Sequence, residues 1–378
     1  MTDVWITDMA VVTGLGDSLA TTWQGLMQGR SAIGPVTRFS TDRYTTHVAA
    51  CVNGLEPESP DGSRLWPLLD QTLAGLGPVP SDALLLTATT KGPIDILENL
   101  RRGRPADTQA LPMASWLARI SRRLGLTTGG INISAACASS TIAVAQGAAA
   151  IGAGRAGAAV ICCMDLVSEF VFSGFSALQA LSPAACRPFD RDRAGLSLGE
   201  GAAALVLMPA ERARREGQRH LGSVLGWGMA NDAAHITAPA RDGCGLIQAC
   251  RQALARAGLE APMVAAIGAH GTGTVYNDLM ELTAFRAVFD GRIPPLHSIK
   301  GALGHSLGAA GGIEVAVGLK ALAERTAPPT VGLCQPVDGA EGLIQAAPVT
   351  IAGDCLLRSN SGFGGINAVL ILGRGADW

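Results

Sequence analysis

Short apolar runs recur along the chain, bounded by glycine, proline or charge, and segments of helical spacing lie between them. The runs predict strands over 4–7, 83–87, 130–133, 158–163 and 202–207. After a turn at Pro209 and a charged helix over 211–218, further strands are predicted over 220–229, 264–270, 295–299, 350–358 and 368–372. Leu246, Cys250, Ala253, Leu254 and Ala257 recur at i, i+4, i+7, as do Val315, Leu319 and Leu322, so both stretches read as helices with one buried face. The alternation falls into two halves, 1–218 and 219–378, with the division near 217–222. No low-complexity linker separates them, so a shared core is expected. Identity between the halves is too weak to establish a repeat from residues alone.

The stretch 124–154 carries no charge and is longer than a membrane span. It contains six glycines, many alanines and a cluster of hydroxyls, where a spanning helix would be rich in Leu, Ile and Phe. It therefore reads as a small-residue helix packed inside a large α/β core.

Composition narrows the function. With 378 residues there is room for about two domains, and 48% apolar against 16% charged residues suits a folded protein. Lys plus Arg number 29 against 31 Asp plus Glu, and aromatics are only 4%, so neither phosphate neutralisation nor base stacking is provided for. Nucleic acid is not an expected partner, and no membrane association is expected. Nine cysteines without a C-x-x-C pair or zinc spacing fit a reducing compartment. The acidic residues near the start do not match an export signal, and a cytoplasmic location is expected.

Candidate chemistry gathers at four places. In 132–140, Cys137 stands where a strand ends and an Ala-rich helix begins; the N–H groups and dipole of that helix would favour a thiolate. In 269–274, glycines frame His270 after a strand, and Asn277, Asp278 and Glu281 open the following helix. In 297–308, a strand end delivers Lys300, and a glycine-framed loop delivers His305 before a helix carrying Glu314. In 359–367, Ser361, Gly362, Phe363, Gly364 and Gly365 lie between two apolar strands, where backbone N–H groups could face an oxyanion. Two histidines in glycine-framed loops after strands, with a cysteine likewise placed after a strand, point to nucleophilic catalysis, and no ligand pair has metal spacing. The acidic turn Gly199-Glu200-Gly201 reads as structural.

These residues resemble the chain-elongating β-ketoacyl-acyl carrier protein synthases of the thiolase-like superfamily. Seven blocks occur in family order over nearly the whole chain: Val12-Thr13-Gly14-Leu15-Gly16; Ala136-Cys137-Ala138-Ser139; Arg187-Pro188-Phe189-Asp190 leading to Gly199-Glu200-Gly201-Ala202; Asp232-Ala233 with His235; His270-Gly271-Thr272-Gly273-Thr274; Lys300 with Gly304-His305; and Gly362-Phe363-Gly364-Gly365 with Asn367. The resemblance implies an α/β, five-layered αβαβα fold of two similar halves, acting as a homodimer or as a heterodimer with a related subunit.

It also implies a mechanism and its residues. Cys137 would take an acyl group from an acyl carrier protein, the oxyanion held by the backbone N–H groups of Cys137 and Phe363. His270 and His305 would bond the malonyl thioester as carbon dioxide leaves. Lys300, paired with Glu314, would support the histidines, and Phe363, in the loop with Gly362 and Ser361, would gate the acyl pocket. No cofactor, metal or nucleotide is implied. The activity would serve fatty acid, type II polyketide or aryl-polyene-like biosynthesis. The initiating class would carry Asn where His305 stands, and the biosynthetic thiolases a second catalytic Cys.

Two other readings are a non-catalytic chain-length-factor subunit, which lacks the nucleophile, and a starter-unit decarboxylase with Gln in its place. Cys137 disfavours both. The sequence departs from the family at Ser361, where a second aromatic is common, at Ala135, where Thr is usual, and in shortened segments over 52–80 and 103–130. A specialised secondary pathway is the expectation these departures raise.

Overall fold

The computed structural model describes residues 3–55 and 62–378; residues 1–2, and 56–61 within the shortened segment 52–80, lie outside them. Among the described residues, ten strands form one hydrogen-bonded run. They are β1 (Val4–Thr13), β2 (Leu84–Ala88), β3 (Gly130–Ile133), β4 (Ala159–Asp165), β5 (Gly201–Pro209), β6 (Gly222–Asn231), β7 (Ala266–Gly268), β8 (Leu296–His297), β9 (Cys355–Gly362) and β10 (Ile366–Arg374). Outward from the centre, one half runs β1, β5, β4, β2, β3, and the other runs β6, β10, β9, β7, β8. Pairing directions repeat with the order. β1–β5 and β5–β4 are antiparallel, and β4–β2 and β2–β3 parallel; β6–β10, β10–β9, β9–β7 and β7–β8 follow the same scheme. Trp5 and Ile6 join the halves by pairing with Ser223 and Gly222. Topology thus shows a repeat that residue identity conceals.

Six helices complete the layers: α1 (Leu65–Ala74), α2 (Met113–Leu124), α3 (Ser139–Gly152), α4 (Cys244–Ala257), α5 (Val275–Val288) and α6 (Ala310–Ala323). Side chains on a strand alternate between faces, which sorts the core. Ala203, Leu205 and Leu207 of β5 meet Val144 and Ala148 of α3 and Ile313 and Ala316 of α6. The alternate Ala202, Ala204 and Val206 meet Leu68 and Leu69 of α1 and Trp116 of α2. In the second half, Leu370 and Leu372 of β10 face the central helices, while Val369 and Ile371 face Leu246 of α4 and Phe285 of α5. The result is five layers, αβαβα, with α3 and α6 in the middle.

The charge-free stretch builds that middle layer. A Cβ at Gly147 would lie 3.3 Å from that of Ala159, and one at Gly311 would lie 2.1 Å from Thr141 Oγ1, so small residues let α3 approach both β4 and α6. Among the described residues no helix is long and apolar enough to cross a membrane.

Two predicted strands need correction. The first does not stop at residue 7, because a bulge between Ile6 and Asp8 absorbs the polar pair and β1 continues to Thr13. Asp8 then accepts the N–H groups of Met9 and Gly77. The predicted strand over 350–358 is broken: Val349–Thr350 pairs instead with Thr326–Ala327, and the chain turns at Gly353 before β9. At Gly353 a Cβ would lie only 2.7 Å from Ala265 Cβ. Glu200 is structural as expected. Its buried carboxylate accepts Val52 N–H at 2.8 Å and Val167 N–H at 3.0 Å and pairs with Arg38 and Arg64.

Candidate active site

Within each half the parallel strands end on one side of the sheet, where open α/β sheets place their ligands. Cys137 follows β3, His270 follows β7, Lys300 and His305 follow β8, and Phe363 follows β9. Topology therefore brings all four sequence segments to one cavity of about 380 Å³, whose lining includes Cys137, Phe175, His270, His305, Ser361 and Phe363.

Cys137 sits on a tight turn. Ala136 before it has φ 48°, a left-handed conformation that costs a non-glycine residue ~1–2 kcal/mol. Ser139 holds the turn, its hydroxyl accepting Ala135 N–H at 2.8 Å and donating to Ala136 O at 2.6 Å. The expectation of a thiolate at rest needs correction. Burial pushes the Cys137 thiol up to about 12, against the smaller opposing pull of Lys300 and Lys91. The helix N-terminus does not outweigh the loss of water, and the resting group is a thiol.

The two histidines stand edge to face, centroids 5.1 Å apart and planes at 83°. Burial, with the nearby charges of Lys300 and Arg358, holds both rings well below the ordinary imidazole range, so both are neutral. Among the described residues neither ring nitrogen of His305 has a partner. Its backbone is fixed, with His305 N donating to Ser197 O at 2.7 Å and Gly199 N donating to His305 O at 3.0 Å. Lys300 Nζ donates to His270 O at 2.6 Å and to Glu314 Oε1 at 2.5 Å, so the sequence-predicted pair is in contact. Lys300 thus bonds the His270 segment and is not among the residues lining the cavity.

The loop between β9 and β10 closes over Cys137. A Cβ at Gly362 would lie 3.2 Å from Cys137 N, so the loop rests directly on the cysteine turn. Phe363 stacks on Phe175, centroids 5.6 Å apart. Ser361 donates to Asn367 Oδ1 at 2.7 Å, and Asn367 Nδ2 donates to Asp232 Oδ1 at 2.8 Å. Gly364 N further donates to Ile236 O at 2.6 Å, which latches the loop to the 232–238 segment.

Sequence reasoning missed several contributors. Arg358 and Asn360 lie buried on the β9 face of Leu356 and both contact Glu314. Glu281, read only as part of a helix opening, accepts the N–H groups of His270 and Gly271, each at 2.7 Å. Asp165 accepts Gly308 N–H at 2.7 Å and the hydroxyls of Thr89 and Thr90, tying the turn after His305 to β4. The usable signal was an arginine and an asparagine at alternate positions inside an apolar strand. Together the groups offer a buried sulfur nucleophile, two neutral imidazoles and a loop whose backbone overlies the nucleophile.

Residues 96–213 match the N-terminal domain of the β-ketoacyl synthases and residues 221–334 their C-terminal domain. A 3-oxoacyl-[acyl-carrier-protein] synthase 2 from Synechocystis is 31% identical, with 97% of each chain covered. That alignment runs over 412 positions, more than the 378 residues here, so the relative carries segments this chain lacks. Nodulation protein E of Rhizobium meliloti is 32% identical over 97% of this chain and 98% of its own. Among solved structures, the ishigamide ketosynthase/chain length factor superposes with a TM-score of 0.87 at 31% identity, covering 99% of both chains. A β-ketoacyl synthase from Burkholderia phymatum superposes at 0.86 with 27% identity, covering 99% of this chain and 100% of that one. With full-length similarity at this level and the cysteine and histidines gathered in one cavity, the chain belongs to the β-ketoacyl synthase family.

Proposed function

We propose that this chain is an acyltransferase that condenses an acyl group on Cys137 with malonyl-acyl carrier protein, giving 3-ketoacyl-acyl carrier protein, carbon dioxide and free Cys137. The convergence of Cys137, His270 and His305 on one cavity carries the reading. In loading, Cys137 sulfur attacks the thioester carbonyl, the carrier sulfur leaves, and the cysteine proton passes to it. The tetrahedral oxyanion is taken by the backbone N–H groups of Cys137 and Phe363, which Gly362 allows to lie together. In condensation, His270 and His305 donate to the malonyl thioester oxygen as the carboxylate departs. The enolate carbon then attacks the acyl carbonyl and expels the Cys137 sulfur as a thiolate, which takes a proton from solvent to regain the resting thiol. Lys300 with Glu314 braces the His270 segment, and Phe363 gates the acyl pocket.

The partners proposed are acyl carrier proteins and a second subunit, either another copy or a related chain. The units 1–218 and 219–378 are proposed as its two domains, and the cytoplasm as its location. One relative's printed name speaks for fatty acid synthesis, and the ishigamide ketosynthase and the ApeO–ApeC pair, 25% identical at a TM-score of 0.83, for secondary metabolism. A chain-length-factor role is the second reading, favoured only by those paired assemblies.

Intact-mass measurement tests the proposal. Wild type should gain one acyl group from acyl-carrier protein, and Cys137→Ala none. His305→Ala should still acylate yet release carbon dioxide from malonyl-carrier protein about 10²–10³-fold more slowly, the usual loss for one oxyanion donor. Acylation of Cys137→Ala, or no acylation of wild type by any primer, would reject the assignment.

A further inference from the structure

Arg358 of β9 is wholly buried, and no step above uses it. In register it pairs with Gly268 of β7, and it fits because that residue has no side chain: a Cβ there would lie 2.8 Å from Arg358 Nη1. Nη1 donates at 2.9 Å to the carbonyl of Ala269, the residue before His270, and Nη2 pairs with Glu314 Oε2. The same carboxylate oxygen accepts Asn360 Nδ2 at 2.8 Å. Asn360 Oδ1 accepts the Thr141 hydroxyl, so both ends of the amide are assigned by their partners and its NH₂ faces Glu314 and His270. Asn360 Nδ2 lies 3.3 Å from His270 Nδ1. A donor at that place requires Nδ1 to accept. The ring proton is then on Nε2, and a cationic ring would set N–H against N–H.

The charges agree. Lys300 and Arg358 face the carboxylates of Glu314 and Glu281, two against two, and the cluster balances with both imidazoles neutral. Asp278 has its own partner in Arg193 at 3.8 Å. We infer that Arg358 is a positioning residue which, by holding Glu314 Oε2 against the Asn360 amide, fixes His270 as the neutral Nε2–H tautomer. Nε2–H is thereby kept as the donor and the ring is kept from storing a proton. The catalytic consequence rests on the condensation reading, whereas the protonation state does not.

The sign of the pH effect follows from the surroundings. His270 shares its site with Cys137 before α3, Glu281 and Asp278 of α5, Lys300, His305, Glu314 of α6 and Arg358 of β9, and His297 of β8 also feels the charge of Arg358. Burial and the charges of Lys300 and Arg358 favour the neutral ring. Removing Arg358 leaves an excess of negative charge, so the ring takes up a proton at higher pH than before.

Neutron crystallography of the wild-type protein at pH 5 and pH 8 should show deuterium on His270 Nε2 and none on Nδ1 at either pH. Deuterium on Nδ1 would overturn the assignment whatever the enzyme's substrate is. In the pH profile of malonyl-carrier-protein decarboxylation, Arg358→Met should move the acid limb up by about one pH unit or more, and Arg358→Lys should restore it. An unshifted limb in a folded Arg358→Met, or a loss equal at every pH, would reduce Arg358 to a purely structural role. Absence of wild-type decarboxylation would instead count against the condensation reading.

Discussion

Ser361 lines the cavity on one side, while its hydroxyl is spent on Asn367 Oδ1, so space and anchoring are separable there. Serine in place of an aromatic side chain leaves room beside Phe363 for a rigid or branched acyl group. Ser361→Phe should therefore depress kcat/KM for a bulky primer about 10–100-fold more than for a short saturated one, the discrimination typical of a small steric change in a pocket. Ser361→Ala keeps the space and removes only the hydroxyl, and it should affect both primers alike through the looser latch to Asp232. An equal loss for both primers in Ser361→Phe would sink the specificity role. The same logic bears on Cys137: burial holds the resting thiol protonated, so on the proposed function its reactivity would come from its turn and its neighbours.

The elements meet tightly where the 197–199 segment crosses the 303–305 segment. A Cβ at Gly199 would lie 2.2 Å from Leu303 O, and one at Gly304, where φ is +65°, would lie 2.4 Å from Leu198 O. This crossing carries the two hydrogen bonds that fix the His305 backbone. Gly199→Ala should lose about 1–3 kcal/mol of stability from overpacking and also lower decarboxylation, because His305 must shift. Gly217→Ala, at φ +64° with open space around it, should cost about 1–2 kcal/mol from conformation alone and leave turnover unchanged. Thermal unfolding read beside turnover checks the pair, and full activity in Gly199→Ala would show that the crossing does not set His305. What the sequence revealed follows from the same physics. β4 and β5 were legible because apolar runs buried on both faces leave a continuous signal; the loops with His270 and His305 were legible from their glycines, and Cys137 from its place between a strand and an Ala-rich helix. The length of β1 was hidden by a bulge that places Asp8 among pairing residues. The Glu314–Arg358–Asn360–His270 cluster was hidden because its members come from β9, α6 and the turn after β7, and their pairing exists only in the folded chain.

For the molecule as a whole, β3 ends the run of strands and bears Ile131 at 55% exposure. The helix Asp95–Arg101 turns Leu97 and Leu100 outward, and the helix Glu169–Ala177, bonded to it through Phe170 N–H and Glu98, turns out Phe170. An open strand edge bearing an exposed isoleucine invites pairing with another chain unless it is covered. Cys137 follows β3 within a few residues, so a subunit seated on this edge would lie against the nucleophile turn and could shape its acyl pocket. A second subunit across a two-fold axis meets each such residue twice, once per copy. Burying the exposed half of one isoleucine stabilises by about 1–1.5 kcal/mol, so Ile131→Lys, removing two, should weaken self-association by roughly 10–10²-fold. Because Ile131 is exposed in the single chain, the variant should retain its circular dichroism and thermal unfolding when measured as a monomer. Sedimentation velocity across a dilution series of wild type and variant reads the shift from dimer to monomer, and acylation measured alongside should fall with the dimer fraction. If wild type is itself a monomer that dimerises only when mixed with a related chain, the edge serves a heterodimer; an unchanged dimer in Ile131→Lys would place the interface elsewhere.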